Sequence, residues 1–326
     1  MKLGISTATD FIGNSNSGNG APFINSRGQL QQNVNTTLLE DEHRRIDAAV
    51  LAESRAIRGA SEHLRTRGLV VTLGSIGVLL SDYNRAGNMT DAEVDFDGRS
   101  RGLKDRLTFD QVGVPIPIFH KEWELGARQL TASRNGNSRL DTTQAQIATE
   151  IVQEKFESHI FNGLPGLTLD GRTVYGYNTH PDRNTYTLLA DWTSAAAGAA
   201  MITDLINMLK LLKADNQRGP FMVYVGDNIW PTLEQDYSTA KGDNTILQRM
   251  LAIRGVEGIE NSEFMDADTV TVVQMKSKTV DLAIAADLQN IQWSVQPMST
   301  NYMVYLMGAV RVKSEKNGQC GIVHAT

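Results

Sequence analysis

Apolar positions repeat with helical spacing through residues 141–165, DTTQAQIATEIVQEKFESHIFNGLP, where Ala148, Ile151, Val152, Phe156, His159 and Ile160 share one stripe. The spacing predicts a long helix over about 142–162. Asp141 is placed to accept from the first-turn amides while Gln144 reaches back in a capping box. Asn162 and Gly163 permit a left-handed end, and Pro165 forbids continuation. About 20 residues at ~1.5 Å each make a rod of roughly 30 Å.

A second capping box at Thr37 and Glu40 opens an amphipathic helix with Leu39, Ile46, Val50 and Ile57 on one stripe, fraying near Gly59 and ending by Gly68. Leu69 to Leu80 reads as strand, and Asp82 to Met89 as turn. Leu107, Phe109, Val112, Val114, Ile116 and Ile118 then alternate with a one-residue phase change, which predicts a bulge near Asp110 and Gln111. Pro115 and Pro117 lack amide donors and place this strand at a sheet edge or make it partly irregular. Between the two strand signals, Leu79 to Thr108 is highly charged with almost no core-forming positions, which predicts a long projecting hairpin.

Beyond the rod, GLTLDGRTVYGYNTHPD at 166–182 reads as loop, followed by a helix through Met201, Ile202, Leu205, Ile206, Leu209 and Leu212. Phe221 to Val225 reads as a short buried strand, with Asp227 or Asn228 capping another helix. Val270 to Val273 and Val280 to Ile284 read as a strand pair turning at Lys276, Ser277 and Lys278, and Tyr302 to Lys313 as the closing strand. No internal repeat is apparent, and the order of elements implies α+β rather than repeated βαβ units.

Charge narrows the function classes. The 326 residues carry 31 Lys and Arg against 37 Asp and Glu, so no global basic excess exists to hold phosphates by counterion release. One cysteine, Cys320, rules out an internal disulfide and any multi-cysteine metal cage. No apolar run approaches the ~18 residues of a membrane span. The first residues, rich in Gly, Asn and Ser, lack the apolar stretch of a secretory signal and read as a flexible arm that a neighbour must order.

Within EVDFDGRSRGLKDR, Glu93, Asp95 and Asp97 share one strand face, while Arg99, Arg101 and Lys104 follow beyond Gly98, so opposite charges segregate along one element. A solvated, aggregation-resistant edge is the bland reading; contact with an adjacent subunit is the functional one. A calcium loop fails because Lys104 stands at the twelfth position, where a bidentate Glu is required. His120, Glu122 and Glu124 form the nearest metal constellation, read instead as surface side chains at the start of a helix. His159 reads as packed and hydrogen-bonded, Cys320 as small and half-buried, and Trp123, Trp192, Trp230 and Trp293 as core or interface anchors. Phosphate-loop, dinucleotide and GxSxG signatures are absent. No catalytic, cofactor-binding or metal-ligating residue is assigned, and no cofactor is expected.

The layout, with LRTRGLVVTLGSIG at Leu64 to Gly77, IFNGLPGL at Ile160 to Leu167 and DLINMLKLLKADNQRGPFMVYVGDNIW at Asp204 to Trp230, resembles the Hong Kong 97 fold of tailed-phage major capsid proteins and their encapsulin relatives. The resemblance covers nearly everything beyond residue 36. It implies an N-terminal arm (1–36), a peripheral domain built from 37–78, 109–195 and 287–326 around the spine helix, an extended hairpin loop (79–108) lying across a neighbouring subunit, and an axial domain (196–286). It further implies a non-enzymatic, self-assembling protein of an icosahedral head enclosing phage double-stranded DNA without sequence-specific binding. The partners implied are other copies in pentamers and hexamers, separate scaffolding and portal proteins, with decoration proteins as further candidates, and no membrane. The location implied is the virion, assembled in the host cytoplasm. An encapsulin-type nanocompartment enclosing cargo enzymes is the alternative within the fold, and a metal-dependent hydrolase using His120, Glu122 and Glu124, or acids of the block from Ala196 to Ala286, the alternative outside it. Some relatives join an extended-loop lysine to a neighbour's asparagine, which would fall to Lys104; no partner asparagine is identified.

Overall fold

The computed structural model describes residues 23–24, 30–31, 40–54, 59–87, 94, 96, 109–129, 132, 142–194, 198–237, 244–293 and 299–326. Strands β1 (Phe23–Ile24) and β2 (Leu30–Gln31) pair antiparallel. Helix α1 (Glu40–Ser54) buries Ile46 and Val50 as predicted. The continuation past Gly59 is a separate helix, α2 (Ala60–Thr66), so the single fraying helix becomes two. Gly59 stands extended before α2, and a carboxylate from another helix supplies its first-turn acceptor.

The expected strand over Leu69 to Leu80 shortens to β3 (Val70–Thr72), because Gly74 takes φ +69° and the chain leaves the sheet. The residues read as turn instead form β4 (Leu80–Ala86), paired antiparallel with β5 (Phe109–Pro115) from Leu80↔Pro115 to Ala86↔Phe109 without a register shift. The bulge expected at Asp110 and Gln111 is therefore absent from this ladder. The hairpin root is a regular two-stranded ribbon. Pro117 separates β5 from β6 (Ile118–Gly126), which lies at the edge of a four-stranded sheet, where prolines are tolerated.

Helix α3 (Thr143–Asn162) matches the predicted rod, burying Ala148, Val152, Phe156, His159 and Ile160; Ile151 is exposed, so the stripe is narrower than its spacing suggested. Asp141 lies outside the described residues. Gly163 adopts φ +65° and donates to His159 O at 2.8 Å, ending the helix in the left-handed manner expected. The following loop is in fact a hairpin, β7 (Leu164–Leu169) and β8 (Arg172–Val174), joined by Asp170 and Gly171 at φ 53° and 73°. Two consecutive left-handed residues define the turn that matches strand twist.

Next come β9 (Asn184–Tyr186), α4 (Gly198–Ala214), β10 (Phe221–Val225), α5 (Trp230–Leu233), α6 (Ile246–Leu251), β11 (Val256–Asn261) and β12 (Val270–Gln274). The chain ends with β13 (Val280–Trp293), β14 (Ser299–Val312) and β15 (Ile322–Ala325). One sheet has the order β11-β10-β12-β15-β9 and another β3-β13-β14-β6. Thus β12 and β13, adjacent in sequence, belong to different sheets rather than pairing, and β15 rather than β14 closes the chain. Neither Asp227 nor Asn228 caps α5: Asp227 accepts from Asn261 at 2.6 Å, and Asn228 donates to Asp268 at 2.9 Å.

Cα packing groups the chain into two compact units, one of 1–53, 121–148 and 290–304 and one of 54–120, 149–289 and 305–326. In the first, Trp123 stacks on Tyr302 with ring centroids 4.2 Å apart. In the second, every residue of β10 is buried. Phe221, Val223 and Val225 join Met201, Leu205 and Met208 of α4 in one core, as the two-residue strand period requires. Beneath that core the Asp204 carboxylate is fully buried yet accepts from Tyr186 Oη (2.9 Å), Trp192 Nε1 (3.0 Å) and the Leu189 amide (3.2 Å).

Candidate functional site

The hairpin root is held by a buried polar network in the second unit. Asp281 takes the Arg311 guanidinium in a bidentate pair at 2.6 and 2.7 Å, with Lys313 Nζ at 2.5 Å on the same carboxylate. Arg311 also donates to Ser81 Oγ at 2.8 Å, which ties the pair to β4. Two residues along each, Tyr83 Oη donates to Val312 O (3.1 Å) and Arg85 donates to Ser314 O (3.2 Å), Glu315 O (2.8 Å) and Asp182 (2.8 Å). On the outer face, Asp82 accepts from Gln111 (3.0 Å) and Arg172 (3.2 Å). The arginine lies so close over Gly113 that a Cβ there would fall 1.9 Å from its Nη1. Charge-assisted bidentate bonds fix geometry as well as energy, so the root of the hairpin is a stiff mount.

Beyond the root, Val94 and Phe96 are exposed at 98% and 106%, two apolar side chains without cover among the described residues. The sequence-predicted contact residues Glu93, Asp95, Asp97, Arg99, Arg101 and Lys104 lie outside the described residues.

Helix α3 carries two buried titratable groups. Glu157 accepts from the Ser61 amide at 3.2 Å and from the Ser61 hydroxyl; burial raises its pKa and these bonds oppose the shift. A Cβ on Gly59 would meet this carboxylate at 2.6 Å, so glycine is what admits it. His159 donates from Nδ1 to Phe156 O (2.5 Å) and accepts at Nε2 from the Val310 amide (3.2 Å). Burial pushes its pKa down to about 4, so the ring is neutral at pH 7 and structural, as its place on the stripe predicted.

Two surface concavities flank these elements. One, about 710 Å³, is walled by α2 and β11 and lined by Glu62, Asp227, Glu257, Glu260 and Glu263, with Arg67 paired to Glu257 at 3.1 Å. At its base His63 Nδ1 lies 3.1 Å from Tyr224 Oη, and burial lowers the histidine pKa. The other, about 620 Å³, is mainly apolar, with Ile118, Phe119, Ile151, Leu164 and Leu167 beside α3.

The metal constellation does not form. His120, Glu122 and Glu124 are exposed side chains on β6, a strand rather than the helix start expected, and among the described residues no group of three or more His, Cys, Asp or Glu could hold a metal ion. Cys320 is fully buried rather than half-buried, and burial pushes its thiol up to about 12. Trp192 is a core anchor. Sequence reading names the acids of the 196–286 block only as a group and does not predict the concavity that Asp227, Glu257, Glu260 and Glu263 line. Its one local signal was Glu257, Glu260 and Glu263 at three-residue intervals, while Glu62 and Asp227 join only through the fold. No described helix is long and apolar enough to cross a membrane.

A long helix beside a sheet, a mounted hairpin and a second sheet packed on α4 together make the Hong Kong 97 fold of phage capsid and encapsulin shell proteins. The crystal structure of a virus-like particle from Pyrococcus furiosus superposes with a TM-score of 0.64 at 16% identity, over 88% of this chain and 100% of that one. The capsid of Myoviridae phage XM1 superposes with a TM-score of 0.62 at 10% identity, over 83% and 92%. The chain belongs to the family of unknown function DUF6260, whose pattern spans residues 33–325. It is similar to the type 1 encapsulin shell protein EncA of Myxococcus xanthus, 25% identical over 199 residues. That match covers 61% of this chain and 65% of EncA.

Proposed function

We propose that this chain is a structural shell protein whose copies close into an icosahedral container, and that the container is a tailed-phage head enclosing double-stranded DNA. The observation that carries the shell reading is the fold match spanning the whole of the Pyrococcus furiosus particle subunit. The stiffly mounted hairpin with uncovered Val94 and Phe96 supports it, since fully exposed large apolar side chains are what an unassembled subunit displays. In this reading 1–36 is an arm, 79–108 the extended loop lying on a neighbour, and 196–286 the domain clustering at five-fold and six-fold axes. The subunit acts by multivalency: each copy is held by several neighbours at once, so weak individual contacts add to a stable shell. It does no chemistry of its own.

The polar Gly, Asn and Ser composition of 1–36 favours the phage head, with separate scaffolding and portal proteins as partners and the virion as destination. The match to EncA favours a second reading, a nanocompartment enclosing cargo enzymes. Particles purified after co-expression with neighbouring genes decide between them. Nuclease-protected DNA inside supports the head; a co-purifying enzyme with no nucleic acid replaces it with the nanocompartment.

A further inference from the structure

Residues 69–80, LVVTLGSIGVLL, include no charged residue and no proline, and eight of the twelve are Leu, Val or Ile. Such composition suits a core or the middle of a sheet. The fold leaves it at a margin instead. Only Val70–Thr72 enters a sheet, as β3, which pairs with β13 on one side and stands last in the order β3-β13-β14-β6. Gly74, at φ +69°, then turns the chain away. The segment closes on itself through Ser75, whose carbonyl accepts from the Val78 amide at 3.4 Å and whose hydroxyl accepts from the Gly77 amide at 3.2 Å. Among the described residues Val71, Ile76 and Leu79 remain exposed at 37%, 60% and 65%.

The other edge strand of that order is built differently. On β6, His120, Lys121, Glu122 and Glu124 are exposed, and charges on an edge discourage further pairing. No such guard stands on β3. Its shortness blunts the edge, yet the residues that follow are as apolar as the strand itself, the composition that aggregates when left bare. A segment of this kind calls for a cover in every molecule. With no cation of its own it offers nothing to phosphates, so the cover is not a nucleic acid. A cover needed by every subunit must be present in equal number, and in the shell reading above, on which this inference rests, another subunit meets that need. We infer that residues 69–80 form an interface covered by a second copy of this chain, which buries Val71, Ile76 and Leu79. The contact is made by the edge of the sheet, ahead of the charged hairpin.

The test places a photo-reactive benzophenone amino acid at position 76 of the full-length chain, in particles isolated by sedimentation. Illumination should join one chain to another and give adducts of twice the chain mass. Links that close within one chain, adducts to a different protein, or particles that give no adduct each overturn the inference. Ile76→Lys, first shown to melt like the wild type, gives an independent reading. A charge forced into the covered edge should lower particle yield by about tenfold or more. Wild-type yield from Ile76→Lys overturns the contact and leaves the shell reading standing. A wild-type chain that forms no particles overturns the shell reading, and this contact with it.

Discussion

Glu157, from the second half of α3, points its carboxylate at the amino end of α2, where Ser61 donates its amide at 3.2 Å and its hydroxyl as well. The rod thus caps a helix far away in sequence. Replacing Glu157 by Ala should cost about 2–3 kcal/mol, because buried amide donors lose their acceptor. The pH dependence has a defined sign. Burial holds the folded pKa above the unfolded one, so this group's contribution is fully present below the unfolded carboxyl value and is lost as pH rises through the folded pKa. Thermal melts across pH should show that loss in the wild type and its absence in Glu157→Gln; an unchanged profile would contradict the assignment.

His159 works in the opposite direction. Its pKa drops from 6.5 to about 4, chiefly by burial, so its contribution is present above pH 6.5 and is lost as pH falls through about 4. The shift corresponds to about 3 kcal/mol at most. Urea unfolding across this range should show stability falling with acidification in the wild type and a flatter curve in His159→Gln.

Asp281 serves two cations at once. Its removal in Asp281→Ala leaves Arg311 buried without its carboxylate and Lys313 with only the Ser277 carbonyl, which should cost about 3–5 kcal/mol. The loss should extend to the hairpin root, because Arg311 also holds Ser81. Hydrogen exchange should show faster amides in β4 and β5 than in α4; uniform change throughout would mean that the network does not mount the hairpin.

Much of this architecture was legible in the chain, and the failures share a cause. Helices α3 and α4 and strand β10 were found because their buried faces repeat locally. Strand β4 was missed because Asp82, Asn84 and Arg85 have turn chemistry; they are tolerated in a strand because Arg172, Asp182 and Ser314, distant in sequence, supply partners. The β12 and β13 pairing was misread for the same reason. Each strand finds a better neighbour far away, β15 for one and β3 for the other. The turn at Asp170 and Gly171 carries a hairpin signal between apolar residues that a loop reading of 166–182 does not use. Glu257, Glu260 and Glu263 were visible as a run, but only folding brings Glu62 beside them.

On the proposed shell reading, the charges segregated along EVDFDGRSRGLKDR should make assembly sensitive to ionic strength. Reversing Asp95 and Asp97 to lysine should weaken assembly at low salt, and the difference from wild type should shrink toward ~1 M salt, where the screening length falls to about 3 Å. Light scattering at several salt concentrations measures it. Equal assembly at all of them would remove these acids from the contact.

The central claim is that copies of this chain build a closed shell. Negative-stain electron microscopy of the purified full-length protein, expressed alone and with its neighbouring genes, tests it most directly. The account predicts uniform icosahedral particles in at least one of these preparations. A stable monomer or small oligomer in all of them would contradict it.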